Sequence, residues 1–228
     1  FWIMESLGGP RERIRKIKIN KNFNYKISYP VTVAVEVRGL NSLSTFPGLP
    51  DEMFINDGQI TKQLVRVITM VRLSPMPQQT LWDIGSGSGA ISIEWCRTNR
   101  TTRAVAFENN KKRLKNIKQN VVNFGLDHQV QIVETDLPKI PKNLASPDAV
   151  FIGGGLSERL LSKIWKIMKP GTKMVVNAVT LESESVLIKW YSVKGGTLSK
   201  IEIAQAKELG GKTGWKSNMP LLQWSVTK

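Results

Sequence analysis

Leu81-Trp82-Asp83-Ile84-Gly85-Ser86-Gly87-Ser88-Gly89-Ala90-Ile91-Ser92-Ile93-Glu94 is the stretch that decides the fold. Leu81, Trp82 and Ile84 have the apolar character of the end of a buried strand. Glycines alternating with serines follow, and Ala90, Ile91, Ile93, Glu94, Trp95 and Cys96 continue as a helix. Glycine permits a sharp turn and lets a ligand approach the main chain. The unpaired N–H groups of the first helical turn face the same spot. Strand, glycine turn and helix N-terminus in this order form a binding place for a nucleotide-like cofactor at the carboxyl end of a parallel strand.

Gly85-x-Gly87-x-x-Ala90 also meets the relaxed dinucleotide fingerprint. Asp83 argues against that reading, because a carboxylate there repels a pyrophosphate and suits the ammonium of a methionine moiety. The next strand, Ala104-Val105-Ala106-Phe107, ends in Glu108. An acidic residue at that point holds ribose hydroxyls in nicotinamide and S-adenosylmethionine (SAM) enzymes alike. A third strand, Val130-Gln131-Ile132-Val133, runs into Glu134-Thr135-Asp136, where a carboxylate can accept from an adenine amino group.

Outward from this centre, strands and helices alternate. The expected elements are a helix over 60–73 ended by Pro75 and Pro77, a strand over 80–84 and a helix over 89–97. A strand over 103–107, a helix over 110–124 capped by Gly125, and strands over 129–133 and 147–152 come next. A helix over 157–167, a strand over 172–178 and a helix over 182–193 complete the series. The strand ending at Ile152 opens into a second turn, Gly153-Gly154-Gly155. This alternation means an α/β fold with a mostly parallel, twisted sheet covered by helices on both faces. Residues 197–206 and 219–226 read as two strands joined through a polar loop, an antiparallel pair at the C-terminal edge.

The first 45 residues read differently. A basic, helix-like run (Arg11, Arg13, Arg15, Lys16, Lys18) precedes a strand over 31–37, and such pieces bury little surface alone. They are expected to be the tail of a preceding domain, joined by a linker over 41–48 to a main domain over 46–228. The chain begins at Phe1 without a signal-peptide pattern, which reads as a piece of a longer, cytoplasmic polypeptide. No apolar run reaches the roughly 20 residues of a membrane span.

Cys96 is the only cysteine, so no intrachain disulfide forms, and its neighbours mark it as a small buried residue. His128 is the only histidine and falls in a turn, which leaves a zinc site or a Ser–His–Asp triad poorly supported. The net charge of +15 favours an anionic partner, either an acidic small molecule or nucleic acid. Lys111, Lys112, Arg113, Lys115 and Lys118 share one helix and read as a solvated face. No basic–aromatic stripe of the kind that binds single strands is present, so nucleic acid ranks second.

Asp83, Gly85-x-Gly87-x-Gly89, Glu108 and Asp136 at successive strand ends resemble the class I (Rossmann-like) SAM-dependent methyltransferases. The segments Gly48-Leu49-Pro50-Asp51, Gly58-Gln59-Ile60-Thr61-Lys62, Phe151-Ile152-Gly153-Gly154-Gly155 and Val176-Asn177-Ala178-Val179-Thr180-Leu181-Glu182 narrow this resemblance. They are similar to the precorrin methyltransferases of cobalamin synthesis, which methylate carbon 15 and decarboxylate a ring acetate. Gly214-Trp215-Lys216-Ser217-Asn218-Met219-Pro220 resembles the C-terminus of the fused, bifunctional form of that family. Leu7-Gly8-Gly9-Pro10-Arg11 and Val35-Glu36-Val37 resemble the end of its carbon-5 methylating domain.

The resemblance implies SAM contacts at Thr61, Asp83, Gly85, Ser86, Gly87, Ser88, Gly89, Glu108, Asp136 and Leu137. It places a polycarboxylate tetrapyrrole against Gly153, Gly154, Gly155, Asn177 and Thr180, with no metal. It implies a homo-oligomer, a tetramer in the stand-alone relatives. An electron-rich macrocycle attacks the methyl group without a strong protein base, so alignment carries the chemistry and no catalytic residue is named. Without its glycine loop the N-terminal remnant is not expected to methylate carbon 5. The alternatives are an RNA methyltransferase, disfavoured because Ile152-Gly153-Gly154-Gly155 offers no aromatic clamp, and a non-catalytic SAM-binding module.

Overall fold

The computed structural model describes residues 1–18, 24–38 and 43–228. They form two compact units, Phe1–Leu43 and Ser44–Lys228.

The first unit is a three-stranded antiparallel sheet. Strand β1 (Trp2–Glu5) lies between β2 (Arg13–Lys16) and β3 (Val31–Ala34). The basic run expected as helix-like is therefore a strand. The reason is Glu5, which is fully buried. Residues two apart share a strand face, so Arg13 and Arg15 both reach its carboxylate, at 2.9 and 2.7 Å. With the Ser28 N–H, these partners hold the Glu5 carboxyl down to about 2, the Arg13 hydrogen bond contributing most. Ile3 and Ile17 supply a small apolar core. The third strand ends at Ala34, short of the expected Val37. Asn41 and Ser42 of the expected linker lie outside the described residues.

The second unit runs α1 (Gln63–Leu73), β4 (Thr80–Ile84), α2 (Ala90–Thr98), β5 (Arg103–Glu108), α3 (Lys111–Asn123), β6 (Val130–Glu134) and β7 (Ala149–Ile152). It continues with α4 (Glu158–Ile167), β8 (Lys173–Ala178), α5 (Leu181–Lys194), β9 (Thr197–Ile201), β10 (Ala204–Leu209), β11 (Lys212–Ser217) and β12 (Leu221–Thr227). Seven strands make one sheet in the order β6-β5-β4-β7-β8-β12-β9. Strands β4 to β8 pair in parallel, and β12 inserts antiparallel to both β8 and β9. This is the Rossmann-like sheet with an antiparallel C-terminal edge expected from the sequence.

Alternation along the strands divides the core. Leu81 packs with Met70, Ile91, Trp95 and Ile117 of the helices on one face. Trp82 and Ile84 pack with Leu160, Ile164, Leu187 and Trp224 on the other. Asp83 shares the Leu81 face and so points at α2. The strand order reverses between β4 and β7, which sets the turns after these two strands side by side.

Two segments differ from expectation. Residues 60–62 precede the helix rather than belong to it, with Lys62, in extended backbone, as the N-cap of α1. The expected strand over 197–206 breaks after Ile201, and its last residues belong to an additional hairpin, β10–β11, paired as its own two-stranded sheet.

Candidate functional site

Gly85 has φ +69°, and a Cβ placed on it would lie 2.8 Å from the carbonyl oxygen of Gly154. The turns after β4 and β7 therefore touch main chain to main chain, which glycine alone permits. The Gly85 and Ser86 N–H groups both donate to the Phe107 carbonyl at 3.0 Å. Gly89 has φ +76°, and its missing Cβ makes room for Ile117. Two cavities of about 380 and 300 Å³ open beside these turns, with Gly85, Arg113 and Gly154 as shared walls.

The smaller cavity lies at the ends of β5 and β6, against Glu108, Asn109, Asp136, Leu137 and Gly155. Glu108 Oε2 accepts from the Gly87 N–H at 2.9 Å. Its Oε1 accepts from Asn109 and Asn110 N–H, each at 3.0 Å. An ionised carboxylate has about four acceptor positions, so Glu108 keeps one for a ligand hydroxyl. Asp136 Oδ1 accepts from Asn109 Nδ2 at 3.2 Å and retains its other oxygen. The chemistry of this wall fits a ribose and an adenine. Gly155, implied as a substrate contact, instead faces this cavity, because its turn leans on Leu137.

Asp83 is not on either wall. Only 1% of it is exposed, and it lies beneath the glycine turn. Its Oδ2 accepts from Ser92 Oγ at 2.7 Å, Ser86 Oγ at 2.8 Å and the Ser92 N–H at 3.1 Å. Its Oδ1 has no partner. Burial pushes the carboxyl up to about 6. The Ser92 and Ser86 hydrogen bonds oppose this rise, and the charge of Glu108 adds to it. Asp83 braces the turn from below, and Ser86, which it holds, is the residue that stands on the cleft wall in its place.

The larger cleft has residues 59–62 on one side and Ser86, Gly87 and Ser88 on another. Ser88 is 2% exposed, and its Oγ has no partner. The 48–62 segment is pinned from within. Arg66, fully buried, donates to Asp51 and to the Thr61 carbonyl at 2.6 Å, to Glu94 at 3.2 Å, and to the Leu49 carbonyl. Glu94 in turn accepts from the Gly48 and Leu49 N–H groups. Thr61 therefore stands on the cleft wall ahead of α1 rather than in the first turn of a helix. Arg113 also faces the cleft, with its Nε donating to Asp57 at 2.9 Å, a bond that holds the Asp57 carboxyl below its usual value.

Asn177, at the end of β8, faces the same cleft. Behind it, Gln223 Nε2 donates to Asn177 Oδ1 at 2.9 Å and to Thr69 Oγ1 at 3.1 Å. Gly153 and Gly154 line the cleft as implied. Thr180 does not. It is the N-cap of α5 and accepts from the Ser183 N–H. Gln59, Lys62, Arg113 and the residues beside β9 and β12 were missed. No local pattern marks them, because only tertiary packing brings them to the turns. Among the described residues no His, Cys, Asp and Glu cluster has metal-binding geometry, His128 is exposed, and burial raises the Cys96 thiol to about 12.

Comparison with known proteins bears on this arrangement. Residues 52–228 match a family model described as "Precorrin methyltransferase domain". The chain is 40% identical over 233 residues to a precorrin-6Y C(5,15)-methyltransferase (decarboxylating) of Mycobacterium tuberculosis, covering 100% of this chain and 58% of the relative. It thus spans little more than half of that protein. A probable cobalt-precorrin-6B C(15)-methyltransferase (decarboxylating) of Sulfurisphaera tokodaii is 32% identical over 175 residues, covering 74% of this chain and 90% of the relative. The solved C-terminal domain of precorrin-6Y C5,15-methyltransferase from Rhodobacter capsulatus superposes with a TM-score of 0.78 at 43% identity, over 82% of this chain and all of that one.

Proposed function

Because the chain belongs to the precorrin methyltransferase family, whose domain it carries over residues 52–228, we propose that it methylates carbon 15 of a precorrin and removes the carboxylate of the ring C acetate as carbon dioxide. The observation that carries the reading is the pair of cavities meeting at Gly85 and Gly154. One has the polar chemistry of a nucleoside site, and the other is larger and mostly apolar.

SAM, when bound, supplies an electrophilic methyl group on a sulfonium. Glu108 accepts from the ribose, Asp136 and Leu137 border the base, and the Ser86 and Ser88 hydroxyls border the amino acid end. Thr61 and the 59–62 strap bound the far side. Asn177, Gly153 and Gly154 border the macrocycle. These residues bind, orient and exclude water, and alignment of the reacting atoms is the catalytic contribution expected of them.

Phe1–Leu43 is read as the end of a preceding carbon-5 methylating domain, which the match to the bifunctional relative along the whole chain supports. The same reading takes in a homo-oligomeric assembly, a polycarboxylate rather than nucleic acid as the anionic partner, and a cytoplasmic location. Among the described residues no helix is long and apolar enough to cross a membrane.

The test is titration calorimetry with SAM followed by incubation with a precorrin-6-type substrate. The expected product has gained one methyl group and lost one carbon dioxide. Saturable SAM binding with no precorrin turnover, or methyl transfer to RNA instead, overturns the reading.

A further inference from the structure

Resting on the function just proposed, we propose that the end of the larger cleft over β8, β12 and β9 is the subsite that receives the acetate side chain that loses carbon dioxide. Its wall is made by Asn177, Val179, Ile201, Ile203, Asn218 and Leu221. Strand register gathers them: Gln223 lies opposite Asn177, and Leu221 lies opposite Ile201. None of the six carries a charge. In a chain of net charge +15, an uncharged wall around a polycarboxylate site is not the default. The charged residues on the cleft wall are Lys62, on the strap, and Arg113, on α3. Each already faces an acid, Lys62 at 3.5 Å from Asp51 and Arg113 at 2.9 Å from Asp57.

The division has a chemical reason. In decarboxylation the bond between the acetate methylene and its carboxylate carbon breaks. The electron pair stays with the methylene and enters the conjugated macrocycle, carbon dioxide leaves, and a proton from water completes the ring methyl group. Negative charge therefore moves away from the carboxylate as the bond breaks. A cation beside that carboxylate stabilises the ground state and raises the barrier. An apolar wall strips it of water and does the reverse. Neutral amides can orient the group without neutralising it. Asn177 is fixed for this by Gln223, which is 2% exposed. Lys62 and Arg113 are left for carboxylates that the product retains.

Ile203 is half-buried, so a lysine there can lay its stem along the same apolar surface and place an ammonium at the wall. The experiment compares the wild-type chain, Ile203→Lys and Ile203→Met in single-turnover reactions at saturating precorrin-6-type substrate, reading carbon dioxide release, with SAM affinity by calorimetry as the control for folding. Ile203→Lys is expected to bind SAM as the wild type does and to release carbon dioxide about a hundredfold more slowly, the scale of an ion pair at roughly 4 Å in a partly solvated site. Ile203→Met, which changes the shape of the wall but keeps it uncharged, is expected to slow release by no more than a few fold. Release from Ile203→Lys within a few fold of the wild type, or equal slowing in Ile203→Met, overturns the proposal. A wild-type chain that transfers no methyl group to the precorrin overturns the functional reading itself, and this subsite with it.

Discussion

Replacing Asp83 with asparagine tests how the glycine turn is held. Asp83 is 1% exposed, its Oδ1 has no partner, and no cation bonds it. Burial moves the carboxyl from its usual 3.8 to about 6. The folded state therefore holds this proton more tightly than the unfolded chain does. The group's contribution is fully present below pH 3.8 and is lost as the pH rises to about 6, beyond which the penalty is constant. A change of this size corresponds to about 3 kcal/mol. Asparagine keeps an oxygen to accept from Ser86 and Ser92 but cannot ionise. Its amide meets the unpartnered side of the site, which adds an offset independent of pH. Urea unfolding of both proteins across this window is the assay. The stability of Asp83→Asn relative to wild type should rise by about 3 kcal/mol from the acid end to neutrality. Parallel pH profiles would refute the reasoning, because they would mean that Asp83 titrates alike in the folded and unfolded chain.

Arg66→Met should lower unfolding free energy by about 3–5 kcal/mol in the same assay, since it leaves Glu94 as a buried carboxylate without its cation. Gly85→Ala should weaken SAM binding by about tenfold or more in calorimetry, because its φ of +69° and the Gly154 carbonyl at 2.8 Å leave no place for a methyl group. Gly125→Ala is the control, with similar φ but no atom within 4 Å of its Cβ.

The centre of the fold was readable because each parallel strand is a short apolar run that ends at a ligand-facing turn. That logic located β4, β5 and β7 to within two residues, and with them Glu108 and the glycines. It failed where burial does not follow local pattern. Ile60 and Leu64 have helical spacing, yet Arg66 captures the Thr61 carbonyl and α1 begins only at Gln63. The β10–β11 hairpin is exposed along nearly its whole length, so no apolar alternation announces it and main-chain pairing alone defines it. Arg13 and Arg15 look like part of a helix-like basic run until Glu5 is placed between them. In the site, Asp83 sat at the expected position in the chain but at another depth, because Ser92 turns back to claim it. Arg113 and Gln223 depend on contacts across 56 and 46 residues, which no window of sequence spans.

The place of β12 between β8 and β9 has a consequence for how the chain is made. During synthesis β9 leaves the ribosome before the only strand that joins it to the rest of the sheet. The strands β6, β5, β4 and β7, which carry the walls of the smaller cavity, are complete in sequence by then and can assemble first. The wall over β9 must wait with its main chain unpaired until Leu221–Thr227 slides in. Vectorial folding thus completes the walls of the smaller cavity before the far wall of the larger one exists.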